Sequence, residues 1–202
     1  MPLNIEEQPA PRIGLLGGSF NPAHDGHREI SVAAIKQFDL DTVWWLVSPR
    51  NPLKDPADYA PFQTRLAEAR RVANHPSIVV SDYELRRNLT YTVDTLQHLR
   101  EELPHLNFLW LMGADSLSSF HDWKDWRKIA RLVPFAVFNR PGEQERCEQS
   151  KAAKELAGDR LDLIDAGNIF ATDLPSWVFV PYTNNKTSAT EIRRLKEQPR
   201  KN

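Results

Sequence analysis

The chain has 202 residues, enough for one domain with a sizeable core, and its 26 lysines and arginines against 27 aspartates and glutamates leave a formal charge of −1. That balance excludes attraction of nucleic acid or an anionic membrane by net charge, so an anionic ligand must be met by a local cluster of donors. The single cysteine, Cys147, excludes an intrachain disulfide and a zinc site built on cysteine alone, and it points to a reducing compartment, the cytoplasm.

Residues 1–11 hold three prolines, two glutamates and no apolar run. They fit neither a signal peptide nor a membrane span and read as a flexible tail. Residues 12–197 read as one domain and 198–202 as a C-terminal tail. Apolar runs predict strands at 12–17, 42–47, 77–80, 106–112, 133–138 and 176–180. Helical periodicity predicts helices near 25–38, 61–74, 91–103, 114–130, 143–157 and 188–196. The alternation is that of an α/β fold, an open and mainly parallel sheet with helices on both faces and a C-terminal helical segment. In such sheets a ligand sits beyond the carboxyl ends of the strands, where strand order reverses.

The first strand leaves through Gly17-Gly18-Ser19-Phe20-Asn21-Pro22-Ala23 into a helix that starts near Asp25, with His24 and His27 three residues apart at its entrance. Glycines here allow positive φ and keep side chains away from an approaching ligand. The helix start offers unpaired N–H groups and a partial positive charge, a setting suited to phosphate. A pair of glycines after a strand is most often only a turn. Gly26 between two histidines weakens the first helical turn by up to about 1 kcal/mol relative to alanine, a cost that folding alone does not require.

Further exits carry polar groups of their own. The second strand leads into Pro49-Arg50-Asn51-Pro52-Leu53-Lys54, where prolines stiffen the loop and two cations are carried beyond the strand, although basic loop residues are commonly just solvated. Thr90 or Thr92 can cap the helix that follows Thr90-Tyr91-Thr92. Asp115, after Gly113, can cap N–H groups or accept from ribose hydroxyls. Trp123 and Trp126 follow Phe120. His121 beside Asp122 reads as a surface histidine, and Arg140 stands at the fifth strand's end. Residues 143–172 carry helical periodicity and no chemical signal. Ser188 and Glu191 form a capping-box pattern that starts a helix whatever the function.

The string Gly17-Gly18-Ser19-Phe20-Asn21-Pro22-Ala23-His24-Asp25-Gly26-His27 resembles the HxGH signature of the nucleotidyltransferase superfamily, and at full length that of bacterial nicotinate-nucleotide adenylyltransferases. Pro49–Lys54, Thr90–Leu96, Gly113–Leu117 and Thr187–Arg193 resemble further segments of that family, with Thr187 where an isoleucine is common. The resemblance implies a Rossmann-like fold, with ATP and nicotinate mononucleotide as substrates and Mg²⁺ accompanying the ATP. It implies ATP contacts from Gly17, Gly18, Ser19, Phe20, His24, His27, Ser188, Thr190 and Arg193, and substrate contacts from Lys54, Thr90, Tyr91, Thr92 and Asp115. Trp123 matches the aromatic position that stacks on the nicotinate ring. His24, His27, Lys54 and Arg193 are the expected catalytic donors, Arg193 because a guanidinium binds phosphate oxygens in a bidentate way.

No serine, cysteine or lysine has the surroundings that covalent catalysis requires. Direct attack of the mononucleotide phosphate on the α-phosphorus of ATP, giving deamido-NAD and pyrophosphate for NAD biosynthesis, is therefore the expected chemistry. Alternatives are adenylyl or cytidylyl transfer to another phosphorylated acceptor such as phosphopantetheine, a non-catalytic nucleotide-binding protein, and a tRNA-binding module, the last disfavoured by the charge balance. Nicotinate against nicotinamide mononucleotide is not decided by the residues, and neither is oligomeric state, a homo-oligomer being one option.

Overall fold

The computed structural model describes residues 9–49 and 59–181. Its order is β1 (Arg12–Gly18), α1 (Asp25–Phe38), β2 (Thr42–Val47), α2 (Phe62–Ala73), β3 (Ile78–Ser81), α3 (Tyr83–Arg86), α4 (Thr92–Glu102), β4 (Asn107–Gly113), α5 (Ala114–Ser118), α6 (Trp126–Leu132), β5 (Phe135–Phe138), α7 (Gln144–Glu148), α8 (Lys151–Glu155), β6 (Arg160–Leu161) and β7 (Trp177–Val180). The strands form one sheet in the order β3-β2-β1-β4-β5-β7-β6, and every pairing is parallel. Strand order reverses between β1 and β4, the place where such a sheet opens a crevice at its carboxyl edge.

Alternation along the strands supplies two cores. Leu15 and Trp110 pack in one cluster with Leu96 and Leu99 of α4, Leu117 of α5 and Ile129 of α6. Leu16 and Trp45 pack in the other, with Ile30 and Ala34 of α1 and Leu66 and Ala69 of α2. Neighbouring residues in a strand point to opposite faces, so a strand covered on both sides reads as an unbroken apolar run. α1 follows its predicted bounds because Ile30, Ala34 and Phe38 recur at helical spacing on its buried side. It ends at Asp39, whose left-handed backbone (φ 50) turns its N–H onto the Ile35 carbonyl.

Two predicted helices are broken. The helix expected over 114–130 divides into α5, a 3₁₀ turn at Phe120–Asp122 and α6. Trp123 is extended and Asp125 left-handed at φ 50, which lets Phe120 and Trp126 both enter the core. The helix expected over 143–157 divides into α7 and α8 at Ser150, whose hydroxyl accepts from the Ala153 N–H at 3.2 Å as an N-cap. α3, β6 and a 3₁₀ segment at Leu163–Ala171 are additions to the expected elements. The helix expected at 188–196 lies outside the described residues. Among those described, no helix is long and apolar enough to cross a membrane.

Candidate active site

The corner after β1 is built differently from the sequence expectation. Gly17 and Gly18 belong to the strand itself, and among the described residues the only glycine with positive φ is Gly142. The left-handed residue is Phe20, at φ 46. Such a backbone costs a bulky residue about 1–3 kcal/mol and persists only where its surroundings enforce it. Burial enforces it here, since the Phe20 ring is 2% exposed, stacks on Trp45 at 5.0 Å and touches His27 at 4.8 Å. Packing thus consumes the Phe20 side chain and leaves its main chain for any ligand. Gly17 lacks a side chain for a packing reason, because a β-carbon there would overlap the Trp110 ring.

His24 is the N-cap residue of α1; its ring makes no full hydrogen bond to the helix, but His24 and His27 face each other's backbone in the geometry of a capping box. Within that box the His24 N–H donates to Nδ1 of His27 at 3.2 Å. With Nδ1 accepting, neutral His27 carries its proton on Nε2, which becomes its remaining donor. Trp45 supports this arrangement from below: its indole N–H donates to the Ser31 hydroxyl at 2.8 Å, and that hydroxyl donates to the His27 carbonyl at 2.8 Å. The two imidazoles lie 3.8 Å apart. His24 is 5% exposed, and its Nδ1 is buried without a protein partner among the described residues. A buried polar atom in that state is completed by water or a ligand.

Both imidazoles are held neutral at pH 7. Burial is the main cause for His24, reinforced by the Arg140 guanidinium against the pull of Asp25 and Asp115, and it pushes the pKa down to about 4. His27 lies well below its ordinary value through burial, then the proximity of His24 and Arg140. These influences place His24 beside the β4 and β5 exits. There Arg140 pairs with Asp115 at 3.6 Å, the carboxylate half exposed and the guanidinium mostly covered. Asp115 sits in the first turn of α5, one residue past the helix start, and the N-cap position is held by Gly113. Its predicted alternative as a cap is therefore replaced by a tether to Arg140.

The remaining predicted residues lie in the opposite layer. Tyr91, and neither Thr90 nor Thr92, is the N-cap of α4, and its side chain makes no capping bond; the Asp94 N–H donates to the Tyr91 carbonyl at 3.0 Å, which leaves the Thr92 and Val93 N–H groups without an acceptor within the helix. Thr90 is exposed, Tyr91 is exposed and Thr92 is half-buried. Trp123 is half-buried, set edge-on against Phe120 at 5.4 Å and Trp110 at 6.4 Å. Trp110 thus joins the two sides, filling the space over Gly17 and bracing Trp123. His121 faces Asp122 at 3.6 Å but is half-buried, with its Nδ1 covered and without a protein partner among the described residues, so it is less exposed than a surface histidine.

The cytidylyltransferase-like family model matches residues 15–195. A protein of Ruegeria sp. named probable nicotinate-nucleotide adenylyltransferase is 44% identical over 182 residues, covering 90% of this chain and 96% of its own. One of the same name from Cereibacter sphaeroides is 48% identical over 181 residues, covering 90% and 96%. The chain belongs to the nicotinate-nucleotide adenylyltransferase family. The fold is also that of the Plasmodium falciparum nicotinic acid mononucleotide adenylyltransferase complexed with NaAD, at TM-score 0.68 and 18% identity over 91% of this chain and 83% of that one.

For a nicotinate-nucleotide adenylyltransferase family member, two buried residues matter that local pattern did not single out. Arg65 of α2, 2% exposed, donates to four carbonyl oxygens: Ala60 at 3.0 Å, Ser19 at 2.5 Å, Ser48 at 2.9 Å and Pro49 at 3.1 Å. Glu84 of α3 is 5% exposed and receives the Thr95 hydroxyl at 3.0 Å. Either residue looks like surface charge in sequence; the only available signal was its position on the helix face that Leu66 and Ala69, or Leu89 nearby, direct inward. Lys54, Arg50, Ser188, Thr190 and Arg193 lie outside the described residues.

The histidine pair has a consequence for adenylyltransferase stability. As pH falls through 6.5 the unfolded chain protonates both imidazoles while the folded chain resists, so stability declines and, for His24, the decline is complete near pH 4. Thermal melts from pH 7.5 to 5 are expected to show a falling midpoint, with a shallower fall in His24→Gln. Parallel slopes for the two proteins would remove burial of this imidazole as the cause.

Proposed function

We propose that the chain transfers the adenylyl group of ATP to the 5′-phosphate of nicotinate mononucleotide, releasing deamido-NAD and pyrophosphate. The observation that carries this reading is the His27 imidazole, made a neutral Nε2–H donor by the backbone of His24 at the switch point of a parallel sheet. Relatives at 44 and 48% identity over 90% of the chain support the choice of acceptor.

An oxygen of the mononucleotide phosphate attacks the α-phosphorus, the α–β bridging P–O bond breaks, and its electron pair leaves on pyrophosphate. The nucleophile is already anionic at neutral pH, so the protein supplies no general base. Its tasks are to align two anions and to stabilise charge on the α-phosphoryl and leaving oxygens. The start of α1, His24 and His27 do this from the first corner, with Lys54 and Arg193 as the further donors. Asp115 accepts from a ribose hydroxyl while Arg140 holds it. Thr90, Tyr91 and Thr92 meet the mononucleotide, with Trp123 offering a flat face to its ring.

Mg²⁺ would accompany the ATP. It would be held mainly by triphosphate oxygens and water. Bound there, it would supply charge neutralisation on the phosphates.

The uncapped amides of α4 favour an acid acceptor over its amide, since N–H donors satisfy a carboxylate and leave an amide NH₂ unpaired. Pyrophosphate release with ATP should accordingly give a kcat/KM for nicotinate mononucleotide roughly 10-fold or more above that for nicotinamide mononucleotide, and no turnover of phosphopantetheine. Equal efficiency for acid and amide would refute the donor argument. Turnover of phosphopantetheine alone would move the chain to a different acceptor.

A further inference from the structure

The proposed reaction needs two walls in register, a phosphate corner carried by the layer of α1 and an acceptor wall carried by the layer of α4. They belong to opposite faces of the sheet. Among the described residues a path of hydrogen bonds, buried at Glu84 and Thr95, joins them. The Ser48 N–H, just beyond β2, donates to the Gly18 carbonyl of the phosphate corner at 2.9 Å. The Ser48 side chain hydrogen-bonds the Glu84 carboxyl, and Glu84 Oε1 lies 3.0 Å from the Thr95 hydroxyl. That hydroxyl also lies 3.3 Å from the carbonyl of Tyr91, the N-cap residue of α4.

We propose that Glu84 is a positioning residue for adenylyl transfer, which sets the entrance of α4 in register with the phosphate corner through Gly18, Ser48, Thr95 and Tyr91. The proposal rests on the function put forward above. Glu84 touches no reacting atom; it acts through the main chain at Ser48 and Tyr91.

The Thr95 hydroxyl has one proton and two acceptors in reach. When Glu84 is ionised, that proton goes to the carboxylate. When Glu84 is protonated, its own O–H donates to Thr95, and the Thr95 proton is released to the Tyr91 carbonyl. The α4 entrance is therefore held differently in the two states. Burial raises the Glu84 pKa to about 7, opposed by the hydrogen bonds from Thr95 and Ser48, so both states are populated at neutral pH.

Among the described residues the surrounding charges are engaged elsewhere. On α3 itself Arg86 pairs with Asp82, and Tyr83 and Arg87 both reach Glu102. Asp94 of α4 pairs with Lys124, and Arg65 of α2, across Ser48, is bonded to carbonyls.

The test compares wild type with Glu84→Ala, Glu84→Gln, Thr95→Val and Ser48→Ala, measuring melting temperature, kcat, and KM for ATP and for nicotinate mononucleotide from pH 6 to 8.5. Glu84→Ala and Thr95→Val are expected to raise the mononucleotide KM about 10-fold while the ATP KM stays within about 2-fold. Glu84→Gln should recover most of that loss. The ratio of wild-type to Glu84→Gln mononucleotide KM, which cancels titration of the substrate phosphate, should change across neutral pH. Folded Glu84→Ala or Thr95→Val with wild-type constants would overturn the proposal. So would losses that fall equally on both substrates and are not rescued by glutamine, the pattern of a merely structural carboxyl. Absence of turnover by wild type itself overturns the functional reading, and positioning for that reaction with it.

Discussion

His27→Ala is expected to lower kcat by roughly 10²–10³-fold with the fold intact, the loss that follows removal of one preorganised donor to a developing oxyanion. The size follows from how the donor is prepared. His27 Nδ1 is committed to the His24 N–H at 3.2 Å, so the Nε2–H is fixed before substrate arrives and no reorganisation is needed when charge builds. Because the imidazole is neutral, the donor also persists without protonation at pH 7. The loss should appear in kcat more than in the KM for ATP, as expected for an interaction that strengthens in the transition state. His27→Asn, which presents a shorter amide, should recover little, since the N–H no longer reaches the same point. Steady-state pyrophosphate release together with a near-wild-type melting curve checks both parts. Near wild-type turnover by the alanine variant would take His27 out of the machinery.

Arg65→Met is expected to be the most destabilising single change considered, by about 3–5 kcal/mol, the range for removing one partner of a buried charged network. Methionine matches the length of the stem but leaves the carbonyls of Ser19, Ser48, Pro49 and Ala60 without their shared donor. It also gives up the stacking of the guanidinium on Tyr59 and Phe62, each 5.3 Å away. At roughly 2–4 °C per kcal/mol for a chain of this size, the melting midpoint should fall by about 6–20 °C. Arg65→Lys should recover only part, because an ammonium cannot span four acceptors as a planar fork does. Surviving folded Arg65→Met should show a raised KM for ATP, since Ser19 and Ser48 flank the phosphate corner. A midpoint within about 2 °C of wild type would show that water replaces the guanidinium at no cost.

What was legible in sequence divides by range. α1 was read to the residue because its apolar spacing and its αL end are both local. Six strands were found within two residues because each is a short apolar run between polar breaks, whereas the two-residue β6 has no such run and was not expected. The stretch from 114 to 130 was misread as one helix because its periodicity survives the break at Trp123 and Asp125. That break exists so that aromatic rings from two turns can meet Phe135 and Trp110 on distant strands, which no window of sequence contains. The glycines after β1 were assigned a ligand role that Gly17 does not need, for the same reason: the ring that fills its place belongs to Trp110, on β4.

The sequence by itself determined the layers, the parallel sheet and the first-strand corner with His24 and His27, because alternation, helical spacing and turn chemistry are written in neighbouring residues. Only the tertiary structure decided the protonation of those histidines, the pairing of Asp115 with Arg140, and the parts of Arg65 and Glu84. Charge states and buried networks depend on groups that meet in space from remote strands and on how much water they lose, and desolvation is a property of the packed chain, not of any segment in it.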